Sequence, residues 1–124
     1  KIKPQVKGLL AQALLRGDSS QEAEAEALEL MKRAEDEVQT QSLKDGMDIL
    51  WILAQAYRLL FNRGSQSSAS RRQLIEKHRM LTEQAYRDLM QAVDKIKDPS
   101  SRESYLSRII SHREIIRAFE EYSR

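Results

Sequence analysis

The chain contains no cysteine, and only 4 glycines and 2 prolines are spread over its 124 residues. Without cysteine there is no disulfide framework and no thiolate metal site, which suits the reducing cytoplasm or nucleus. So few glycines and prolines leave little of the punctuation that strands and hairpins need. Chemistry-bearing motifs are missing as well. No Gly-rich phosphate loop, Gly-x-Ser-x-Gly elbow or His-Glu-x-x-His pair occurs, so no cofactor, metal or small-molecule substrate is expected and the chain reads as non-enzymatic. Aromatic residues are 6% of the whole, with a single tryptophan, Trp51.

What is present favours helices. Charged residues make up 32% and hydrophobic ones 40%, with a mean hydropathy of -0.64. The chain reads as one all-α domain over 1–124, a compact five-helix bundle with a central hydrophobic third helix. Its first residue is Lys1 rather than Met, so a processed product or a fragment of a larger protein is expected. The net charge of +2 hides blocks. Residues 1–16 carry four basic and no acidic groups, residues 17–41 eight acidic and two basic, and the chain from residue 64 twelve basic and nine acidic. Attraction between blocks places the acidic second helix against basic neighbours.

The 3.6-residue period locates the elements. Ile2, Val6, Leu9, Leu10, Ala13 and Leu14 mark helix one over 2–16, with Gly17 as its stop. Ser19 and Glu22 have capping-box spacing, and Ala23, Ala27, Leu30, Met31, Ala34 and Val38 form the stripe of helix two over 20–41. Helix three, over 43–62, contains the run ILWILAQAYRLLF, apolar at 11 of 13 positions. Its apolar residues surround most of the helix, so it must be covered on several sides. At 1.5 Å per residue the run rises only about 20 Å, short of the roughly 30 Å of a membrane core. The Gly- and Ser-rich segment 63–69 reads as a flexible loop. Ser70 and Gln73 then open helix four over 70–97. Asp98 and Pro99 suit an N-cap and first helical position, Ser100 with Glu103 offers a competing cap, and helix five over 100–122 shows Tyr105, Ile109, His112, Ile116 and Phe119 as a seam against helix four.

Both histidines, His78 and His112, project onto apolar stripes and are expected as hydrogen-bonded core residues too far apart to share a metal. Binding surfaces are therefore sought on the exterior. Trp51 projects into the polar strip of helix three beside Arg58 and is a candidate anchor unless helix one covers it. Arg102, Arg113, Arg117 and Arg124 fall within one sector of helix five. The expectation is a protein-interaction or assembly module that binds another protein or itself through Trp51, Arg58, Arg102, Arg113 and Arg117. The alternative is a nucleic-acid-binding accessory subunit with phosphate contacts at Arg71, Arg72, Arg113, Arg117 and Arg124. Helix one, cationic and amphipathic, also fits a membrane surface or a partner's groove.

Three local patterns resemble known families. Leu50, Leu53, Ala54 and Tyr57, with Ala85, Leu89, Ala92 and Pro99, resemble the two-helix pattern of tetratricopeptide repeats, which implies a peptide-binding scaffold. Here the loop breaks the repeat period of about 34 residues and no second copy follows. DPSSRESY resembles the close of a J-domain, whose His-Pro-Asp is absent from the chain. SHREII around His112 resembles the phosphoacceptor box of sensor kinases but lacks the Arg and Pro that follow it there.

Overall fold

A computed structural model describes residues 2–41, 46–64 and 67–123. Those residues are all-helical: α1 (Pro4–Gly17), α2 (Gln21–Thr40), α3 (Gly46–Arg63), α4 (Ser68–Asp94), α5 (Pro99–Ser107) and α6 (Ile110–Ser123). No helix is long and apolar enough to cross a membrane among the described residues.

Helix termini follow local chemistry. Ser20 caps α2 by accepting the Ala23 N–H at 3.1 Å, one residue later than the sequence places the cap. Asp18 accepts the Ser20 N–H at 2.8 Å and so fixes the approach to it. Gly64, at φ +69°, adopts the left-handed conformation that ends α3. Ser67 caps α4 by accepting from Ser70 N–H. Helix four therefore starts at Ser68 rather than residue 70, taking Ser68 and Ala69 out of the predicted loop. Of the two caps open to it, α5 uses Asp98, which accepts from Ser101 N–H at 2.9 Å with Pro99 in the first turn.

The expected fifth helix is two helices, giving six among the described residues. The break falls at Arg108 and Ile109. In an unbroken helix the Tyr105 carbonyl would receive the Ile109 N–H. Here it is met by His112 Nδ1 at 2.8 Å, so an imidazole has replaced a backbone donor. The elbow rotates the seam: Ile109 is exposed, while Ile115, off the predicted stripe, is wholly buried.

Helix α3 is the hub. It packs against α1, α2, α4 and α6, whereas α2 and α4 do not approach one another's backbones. Ile52 lies against Gly8 of α1 and Arg63 reaches the loop beyond α1, so α1 and α3 run parallel. Glu35 of α2 meets Tyr57, and Tyr86 of α4 stacks on Phe119 of α6. The core holds Met31, Ile49, Leu53, Leu81, Leu89 and Ile115, essentially inaccessible, each worth roughly 1.5–3 kcal/mol in removed apolar surface. Acidic α2 is tied to basic neighbours as its charge implied. Lys7 pairs with Glu37, Lys77 with Glu35 at 2.5 Å, and Arg63 with Glu24 at 3.4 Å.

The packed face of α1 is the opposite of the one its apolar period marks. Gly8, Ala11, Gln12 and Leu15 point inward, and Ile2, Val6, Leu9 and Leu10 point to solvent. The reason is close approach. A Cβ on Gly8 would stand 2.7 Å from the Ile52 Cγ2 methyl, so the face that carries glycine at position 8 is the one that lets α1 settle on α3.

Candidate functional site

Trp51 is not a surface anchor. It is 8% exposed and belongs to the same apolar core as Ala11 and Leu15 of α1. The neighbours of α3 cover the strip into which Trp51 projects, and the indole Nε1 is buried with no acceptor. Its expected partner Arg58 remains exposed on α3.

The arginines divide into two groups. Arg58 and Arg71 both stand over Phe61, their guanidinium carbons 5.7 and 4.5 Å from the centre of its ring. Arg72 is exposed one residue further along α4. On the far helices the expected stripe is interrupted, because Arg102 lies on α5 and Arg113 and Arg117 on α6. Arg102 Nε donates to the Ile96 carbonyl, tying down the linker before α5. Arg113 and Arg117 are exposed one turn apart, and α2 does not reach them, so its carboxylates do not neutralise the stripe. Arg124 lies outside the described residues.

Each histidine has its own partner. His78 Nδ1 pairs with the Tyr122 hydroxyl, while His112 binds the Tyr105 carbonyl. Burial pushes the His78 pKa down to about 4, with the nearby Arg58 charge acting in the same direction and Glu121 opposing. Burial raises the Tyr57 hydroxyl, and Glu35, which accepts its hydrogen bond at 3.0 Å, adds to the shift. No group of three or more His, Asp or Glu side chains is placed to hold a metal ion among the described residues.

Two apolar surfaces were not singled out as partner sites by side chain. One is a groove of 630 Å³ between α2 and α4, floored by Leu28, Tyr57, Leu60 and Leu74, with Met80 at its edge and Lys32, Glu76 and Lys77 on its rim. The Lys77–Glu35 pair ties α4 to α2 beside it, and a Gln39–Gln84 hydrogen bond of 2.8 Å joins the same two helices outside the groove. The other is the outer face of α1, with Val6 44%, Leu9 48% and Leu10 42% exposed, and Ile2 just before the helix 50% exposed. The signal for it was in the sequence as a cationic amphipathic helix whose second face is small-residue and glycine-bearing.

Compared with known proteins, the chain matches no family model, no curated protein and no solved structure.

Proposed function

We propose that the chain is a non-enzymatic protein-interaction module that docks an acidic amphipathic helix of a partner protein along the outer face of α1. The observation that carries this reading is the set Val6, Leu9 and Leu10 on one side of α1, with Ile2 just before the helix, large aliphatic side chains left 42–50% exposed. Monomeric proteins seldom leave contiguous aliphatic surface uncovered without a use for it. Charge chooses the occupant. Residues 1–16 contain no acid. With Lys7 engaged by Glu37, exposed Lys3 and Arg16 edge the apolar row. A helix whose own apolar stripe is edged by Asp and Glu complements it, whereas a second copy would bring cations against cations.

Covering the remaining exposed area of these side chains contributes about 1 kcal/mol each. Association costs roughly 4–15 kcal/mol, so the four alone do not hold a partner and the charged edges must add to them. Binding is therefore weak and falls with salt. The test is titration with a synthetic leucine-striped helix edged with glutamate, beside the same peptide edged with lysine, vesicles containing phosphatidylserine, and sedimentation of the protein alone. Saturable binding of the glutamate peptide, lost in Leu9→Glu and Leu10→Glu, supports the proposal. Equal binding of both peptides, binding to vesicles only, or dimerisation through α1 overturns it.

The nucleic-acid reading keeps one favourable observation, the exposed pair Arg113 and Arg117 with no carboxylate in ion-pair contact among the described residues. Retention on RNA and duplex DNA across a salt series tests it, since phosphate contacts give a steep salt slope. A cysteine-free surface makes the cytoplasm or nucleus the proposed setting for either role.

A further inference from the structure

The Arg58, Phe61 and Arg71 cluster poses an electrostatic problem of its own. Two guanidinium groups share one aromatic ring, and neither has a carboxylate in ion-pair contact among the described residues. Cation–π attraction offsets only about 0.5–1 kcal/mol per contact at a partly exposed site. Mutual repulsion of the cations works against it. Arg71 Nε is also buried without an acceptor, and a buried donor left unpaired costs about 1–3 kcal/mol. Elsewhere among the described residues Arg63, Lys7 and Lys77 each meet a carboxylate of α2. At this corner the first turn of α4 contains no acid at all. Arg58 also stands close enough to His78 to disfavour its protonation.

We propose that Arg58 and Arg71, set about Phe61 at the junction of α3 and α4, form a binding site for an oxyanion of the phosphate monoester class. Arg58 supplies an exposed, solvent-facing fork, and Arg71 is held in place against the ring. An oxyanion between them receives charge-assisted hydrogen bonds from both and relieves the repulsion that the ring only dilutes. Inorganic phosphate and a phosphorylated serine offer the same oxygens.

The experiment uses the whole chain at constant ionic strength. Inorganic phosphate, O-phosphoserine and chloride are titrated separately while backbone and His78 ring signals are followed by NMR. Saturable shifts at Phe61 and Arg71 with the two phosphates but not with chloride are expected. Arg58→Gln and Arg71→Gln should each weaken binding by about tenfold, the loss of a charged hydrogen bond, and Arg71→Lys should retain part of it. Bound anion should also raise the His78 titration midpoint, because it screens Arg58. A response to O-phosphoserine alone assigns the site to phosphorylated serine, and equal responses assign it to free phosphate as well. Shifts that do not saturate, that chloride reproduces, or that survive Arg58→Gln unchanged overturn the proposal.

Discussion

Gln12 Nε2 donates to the Ile52 carbonyl at 2.8 Å across the crossing of α1 and α3, with Gln12 only 5% exposed. A buried amide in an otherwise apolar contact is tolerated because it is paired. It also fixes the rotational setting of α1, turning Gly8 onto Ile52 and the row of Val6, Leu9 and Leu10 outward.

The closeness of that crossing is testable. Gly8→Ala places a methyl against the Ile52 Cγ2 atom, a stiff β-branched group. Overpacking costs about 1–3 kcal/mol, and alanine's better helix propensity returns about 1 kcal/mol. A net loss in urea denaturation midpoint is expected. Ile52→Leu removes the clashing branch and should restore much of the loss in the double variant. Simple stabilisation by Gly8→Ala would show that the helices are not in close contact.

Trp51→Ala should lower stability by about 3–5 kcal/mol, the cost of emptying a buried aromatic site. Indole fluorescence should move to longer wavelength on unfolding. Unchanged melting would return Trp51 to the surface.

His78 makes stability depend on pH. Its folded pKa of about 4 lies below the ordinary 6.5, so the unfolded chain binds the proton more readily. The contribution is therefore complete above about pH 6.5 and declines as pH falls toward 4. Thermal melts across that window should show the decline, and His78→Gln should reduce it. Equal slopes in both proteins would remove His78 from the account.

Most helix positions were legible because period and capping chemistry agree along the chain. Helix α3, with apolar groups on nearly every side, announced its central place. The orientation of α1 was not legible, since hydropathy finds an aliphatic stripe but not that a neighbour needs Gly8 and Ala11 to come close. Trp51 was misread for a related reason, because a polar strip on one helix says nothing about a second helix lying across it. The elbow depends on His112 reaching a carbonyl seven residues earlier, an interaction with no periodic trace. Tyr122, the partner of His78, was missed because the next step of the 112, 116, 119 spacing falls on Ser123, one residue beyond it. Arg58 and Arg71 were both named as candidates, but their meeting on Phe61 depends on how α3 and α4 pair.

Because α2 and α4 meet only through side chains, nearly all mechanical linkage between the two flanks of the molecule runs through one rod. Amide protons in the middle of α3 should thus exchange last, and those of α1 and α6 should open independently of each other. A partner seized at one flank will leave the other's breathing almost untouched, which allows two ligands to be held at once without either sensing the other.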